Sequence, residues 1–142
     1  MENTAVATIT SIEAFIEQNF NKYSSDYIKI EAKILNSFLN RLVSEGFQLV
    51  SAHDGEERHR IENNDRFQAL DVIFSVDEAS LTIRAPEGKL IVLSLVLGND
   101  DATTISDHSE LGEELEKQIF KTWADCVKTH SLKLYEENWV GY

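Results

Sequence analysis

The chain has 142 residues, 42% of them hydrophobic, with one proline and one cysteine. That is enough to bury a core in one domain without staples, and it leaves little room for long disordered linkers. With 13 basic and 25 acidic residues the formal charge is −12, which argues against direct binding to nucleic acid or to an anionic membrane, because both need clustered Lys and Arg.

The first nine residues are small, polar or β-branched and suggest a loose end or an edge strand. No basic, apolar leader or membrane-spanning run stands at the start, so a cytoplasmic location is expected. Thr10 and Glu13 have the spacing of a capping box opening a short helix, with Ile12, Phe15, Ile16 and Phe20 on its apolar face. Residues 21–25 read as a turn. A second helix is predicted over residues 26–45: Leu35, Phe38, Leu39, Leu42 and Val43 recur at helical spacing, and Gly46 is placed to end it.

Residues 47–52 read as a strand, with Phe47 and Leu49 on one face. Asp54-Gly55 then suits the two positive φ angles of a type I′ hairpin turn, and the polar return strand over 57–61 suits a sheet edge. Asn64 or Asp65 can cap a third helix carrying Phe67, Leu70, Ile73 and Phe74. A break at 76–79 precedes an alternating strand over 81–84. Ala85-Pro86-Glu87-Gly88 fits a type I turn, and residues 90–97 form an apolar strand expected in the middle of a sheet.

The apolar run stops at Gly98 and gives way to Asn99, Asp100 and Asp101. Asp107 or Ser109 is a candidate cap for a long last helix with Leu111, Leu115, Ile119, Trp123 and Val127 as its stripe. Glu110, Glu113 and Glu114 fall in its first turn, where they favour the helix dipole. The expected fold is α+β in the order ααββαββα: a mainly antiparallel four-stranded sheet of two hairpins with helices packed on it. One domain is expected over 1–142, with an N-terminal helical extension over about 10–45, a core over about 46–130 and an aromatic tail over about 131–142. Cys126 reads as a small buried residue.

From about Arg41 to Ile119 the chain resembles a family of small bacteriophage and mobile-element proteins of unestablished function. The resembling pieces are Asp54-Gly55-Glu56, Asp77-Glu78 ahead of Leu81, Val96-Leu97-Gly98-Asn99-Asp100, and Ile105-Ser106-Asp107. They cover somewhat over half of the chain. The resemblance implies a phage or prophage setting and no catalytic residues.

Three constellations can carry chemistry. Asn99, Asp100, Asp107 and Asp54 are oxygen donors of the kind that hold Mg²⁺ or Ca²⁺, but they lack the spacing of an EF-hand, and turn and cap roles account for them. His53, Asp54, Glu56, Glu57 and His59 have the types for acid–base work or a transition metal, and the two histidines can face one another across the hairpin. No nucleophile elbow, zinc motif, phosphate loop or Cys pair occurs, and Ser106-Asp107-His108 has triad residue types without a triad's geometry. The third constellation is a surface. Asp100, Asp101, Asp107, Glu110, Glu113 and Glu114 crowd one stretch, where carboxylates on rigid elements can imitate a duplex's phosphates. Tyr135, Trp139 and Tyr142 add side chains typical of interface anchors.

The sequence therefore points to a non-enzymatic protein with no cofactor, binding a host protein that has a basic surface. A defence or nucleic-acid-processing factor is the expected target. A metal or small-ligand site at the strand end and a structural homo-oligomer are the alternatives.

Overall fold

A computed structural model describes residues 11–20, 26–96, 104–107 and 113–138. The described residues form α1 (Ile12–Asn19), α2 (Asp26–Ser44), β1 (Gln48–His53), β2 (Arg58–Arg60), α3 (Arg66–Ile73), β3 (Glu78–Arg84), β4 (Leu90–Val96), β5 (Thr104–Asp107) and α4 (Glu113–Asn138). The α+β class and the two hairpins are as the sequence predicts. The sheet gains a fifth strand and runs β2-β1-β3-β4-β5, antiparallel throughout.

Local chemistry sets the helix ends. Ser11, rather than Thr10, caps α1: its hydroxyl accepts the Ala14 N–H at 3.1 Å, which puts Ala14 and not Glu13 three residues after the cap. α2 stops in a Schellman turn. The Phe47 N–H donates to the Leu42 carbonyl and the Gly46 N–H to that of Val43, while Gly46 takes a φ of 98°. Leu42 and Phe47 are both buried, so the same turn that ends the helix seats the first core residue before the sheet. Asp65 caps α3 by accepting the N–H groups of Phe67 and Gln68.

Alternation in the strands decides which face is covered. Ala79, Leu81 and Ile83 of β3 lie opposite Leu95, Leu93 and Ile91 of β4, and with Leu49 and Ala52 of β1 they form one buried face. α2 and α3 pack on β1, α3 also on β3, and α1 and α4 pack on α2. Each large side chain buried there contributes about 1.5–3 kcal/mol. α1 and α2, expected as an extension, send Phe15, Ile34, Leu35, Phe38, Leu39 and Leu42 into that same core.

Two contact sets fix the helices. Phe15 and Phe20 of the α1 segment meet Phe67 and Phe74 of the α3 segment, with ring centroids 5.6–6.3 Å apart. On α4, Ile119 and Cys126 are buried and Leu115, Trp123 and Val127 pack against the core, the stripe read from the sequence. The Cys126 thiol lies 3.5 Å from the Ser37 hydroxyl. Asp125 approaches Arg41 at 3.8 Å and the Gln118 amide donates to Glu45 at 2.9 Å, so α4 is held along α2 by polar contacts on the rim as well.

Three expectations are corrected. β3 starts at Glu78, not Leu81, because Glu78, Ala79 and Ser80 pair with Val96, Leu95 and Ser94. Thr104–Asp107 is an edge strand paired with Leu93–Val96, so Asp107 is a strand residue and not a helix cap. The first hairpin turn is four residues long: His53 is paired with Arg58 and the Asp54 N–H donates to the Glu57 carbonyl. Only Gly55 has a positive φ there, so the turn is not type I′. The Asp54 carboxylate takes the N–H groups of Glu56 and Glu57, each at 2.8 Å, and thereby moves Asp54 from the centre of the turn to its first position.

Candidate functional site

The outer face of the sheet is polar on β1, β2 and β3, while β4 adds Val92 and the exposed Leu90 to it. Across one row stand Arg58, His53, Ser80 and Ser94, with Ser106 next in register; across the next stand Arg60, Ser51, Thr82 and Val92. Neither α2 nor α3 packs on this face, because both meet the apolar one.

Its two ends differ in charge. β1 ends, β2 begins, β3 begins, β4 ends and β5 begins at one end. Asp54, Glu56 and Glu57 come there from the hairpin, and Asp77 and Glu78 from the start of β3. Asp100 and Asp101 fall in the chain between the two strand ends that meet there. His53, Gly55, Glu78, Ser80 and Ser94 line a shallow pocket of about 340 Å³ at this end. The opposite end carries Arg60 and Arg84.

Within the hairpin His53, Asp54 and His59 are already engaged. His53 Nδ1 accepts the Gly55 N–H at 3.0 Å. His59 Nε2 lies 2.9 Å from Asp54 Oδ2, and since an ionised carboxylate only accepts, the imidazole proton sits on Nε2. The two histidines do not face each other: His53 is opposite Arg58 and His59 opposite Ala52, one position out of step, so they point to different faces. The Glu57 backbone N–H, the His59 side chain and the Glu56 backbone N–H hold the Asp54 carboxyl well below its ordinary value of 3.8.

That shift has a signed consequence. A carboxylate with a depressed folded pKa stabilises the fold above the unfolded value and loses the contribution as pH falls toward the folded one. Between wild type and Asp54→Asn, the stability gap is expected to be constant above about pH 5 and to shrink as pH drops below 3.8. Urea midpoints measured from pH 6 to pH 2 check this, and a gap that widens on acidification contradicts it.

The remaining sequence candidates fall as follows. Asp107 closes β5 opposite Leu93, Glu113 opens α4, and Glu114 is exposed in its first turn. Tyr135 is a residue of α4, which continues to Asn138 through the first part of the aromatic stretch. Asn99, Asp100, Asp101, Glu110, Trp139 and Tyr142 lie outside the described residues, as do residues 1–9, the turn over 21–25, Ser109 and Leu111. Beyond Glu114 the exposed positions among the described side chains of α4 are Lys117, Gln118, Lys121, Ala124, Lys128 and Thr129, and the half-exposed carboxylate of Asp125 approaches Arg41, so the described surface of this helix is not an acidic array. Among the described residues no three His, Cys, Asp or Glu side chains gather as metal ligands, and no described helix is long and apolar enough to cross a membrane.

Sequence reasoning misses two things: that Asp77 and Glu78 join the hairpin carboxylates, and that Arg60 and Arg84 gather at the other end. Both depend on the β1–β3 pairing, which brings together segments separated by a helix. Comparison with known protein families, with curated proteins and with solved structures finds no match, and the site is read from its own geometry.

Proposed function

We infer that this chain is a non-enzymatic binding protein of a phage or mobile element, and that it captures a host protein through carboxylates. The observation that carries the reading is the convergence of Asp54, Glu56, Glu57, Asp77 and Glu78 on one end of the sheet. Asp100 and Asp101 lie in the chain between the strands that end and begin there, and Glu113 and Glu114 open α4. In a chain with a formal charge of −12, such an end directs the field of the whole molecule at a basic surface and raises the rate of encounter. The resemblance to mobile-element proteins supports a host target, and a basic nucleic-acid-processing or defence factor has the complementary charge.

Charge reversal tests this in two blocks. Tagged wild-type protein, a Glu56→Lys/Glu57→Lys/Glu78→Lys variant and a Glu110→Lys/Glu113→Lys/Glu114→Lys variant are used to capture partners from bacterial lysate at low and high salt. A basic protein enriched by the wild type, weakened by salt and lost from at least one variant is the expected outcome. Equal capture by both variants at equal thermal stability overturns the acidic contact.

A further inference from the structure

The arginine end of the sheet holds a pocket of about 370 Å³, distinct from the carboxylate end. Its shape comes from an irregularity in β1. The pairing register with β3 slips between Leu49 and Ser51, leaving Val50 as a bulge, and β2 stops at Arg60. Beyond it the Ile61 N–H still donates to the Val50 carbonyl, and the chain then turns away through Asn63 and Asn64, with φ of 52° and 54°. Two consecutive left-handed residues are tolerated because both are asparagine. The Asn64 side chain is held in place as well, since its Oδ1 accepts the Leu49 N–H at 2.8 Å. That bond satisfies a donor of β1 alongside the point where β2 ends.

Arg60, Arg84, Gln48 and Asn63 line this recess. Arg60 is opposite Ser51 and Arg84 opposite Gln48, so both arginines stand on the outer face, on the strands to either side of β1. Those strands are about 10 Å apart and the two arginines are offset along them by two residues, roughly 7 Å, a span that two long side chains lining one recess can bridge. Neither guanidinium is committed to a tight partner. Arg60 Nε is 3.5 Å from Glu62 Oε1, a pair in which both side chains are mostly exposed, and such pairs contribute little. Arg84 Nη1 donates to the Gly88 carbonyl over a long 3.4 Å.

We propose that this pocket binds a small oxyanion, the phosphoryl or carboxylate group of a small molecule, between Arg60 and Arg84. The guanidinium fork matches two oxygens of either group, and the amides of Gln48 and Asn63 donate to the remaining ones. Glu62 is the internal competitor that the ligand displaces from Arg60. The long-range field of a chain at −12 repels anions, so binding here depends on local geometry, and a polyanion such as nucleic acid is disfavoured while a single compact group is not.

The test is an amide-resolved NMR titration of the full chain with sodium phosphate and, separately, sodium malonate, each at ionic strength held constant with sodium chloride. Saturable shifts confined to residues 48–50, 60–64 and 84 are expected, with phosphate-only, malonate-only or dual response identifying the group. Arg60→Gln and Arg84→Gln each weaken binding about tenfold, the loss of one charge-assisted bond. Asn63→Gly, which keeps the left-handed backbone and removes the carboxamide, weakens it less. Arg58→Gln, the same charge change on the same strand at the far end, leaves it unchanged. Absence of saturable shifts with either anion overturns the proposal, as does a response that Arg58→Gln reduces as much as Arg60→Gln does. Because both arginines are on the surface, equal thermal midpoints of the variants separate loss of binding from loss of fold.

Discussion

Phe38→Ala is expected to lower stability by about 3–5 kcal/mol, the range for removing a fully buried phenylalanine from a core. The side chain is 0% exposed, and its ring meets Trp123 edge to face with centroids 5.2 Å apart and planes at 83°. It therefore does two things at once: it fills a fully buried place in the core, and it supplies a ring against which Trp123 of α4 packs. An edge-to-face pair adds about 0.5–1.5 kcal/mol beyond the burial itself. For a chain of this size the loss corresponds to a fall of roughly 10–20 °C in the thermal midpoint. Phe38→Leu, which keeps most of the volume but not the ring contact, is expected to lose less than half as much. Calorimetry on both variants checks the order, and equal losses would assign the whole effect to the ring contact rather than to volume.

Gly46→Ala is expected to cost about 2 kcal/mol, from two separable sources. At φ 98° any side chain is strained, and a Cβ placed there comes within 3.1 Å of Pro86 Cγ and 3.6 Å of its Cβ. The contact ties the end of α2 to the β3–β4 turn, where Gly88 donates to the Ala85 carbonyl at 2.8 Å. Pro86→Ala on its own is expected to be mild, because Pro86 is exposed. In the double variant the clash is absent while the backbone strain persists, so the combined loss should be smaller than the sum of the two. A double-mutant cycle from urea melts measures that difference, and strict additivity would show that only φ matters.

What is legible in the sequence is what neighbours along the chain decide. The apolar spacing of α2, the Gly46 stop, the Asp65 cap and the Pro86-Glu87-Gly88 turn all follow from contacts within a few residues. The elements that depart from expectation are those decided at a distance. Thr104-Ile105-Ser106-Asp107 has too short and too polar a pattern to announce a strand, and becomes one by pairing with the end of β4. Glu78 is extended for the same reason, against Val96. At the first hairpin the Asp-Gly pair does mark a turn, but its register depends on which backbone N–H groups the Asp54 carboxylate takes. The candidate surface is half visible: the acidic stretch around Asp100 and Asp107 is contiguous in sequence, whereas Asp77, Glu78, Arg60 and Arg84 acquire meaning only when β3 lies beside β1.

The two edges of the sheet constrain how anything can engage it. β2 has three residues, two of them arginine, and β5 has four. Over the described residues, edges this short offer few backbone groups to which a partner could add a strand of its own. On the proposed reading a visitor instead reads side chains, either the carboxylates at one end or the guanidiniums at the other. On that reading selectivity resides in replaceable surface residues rather than in main-chain pairing, and a change of target would leave the scaffold beneath the same.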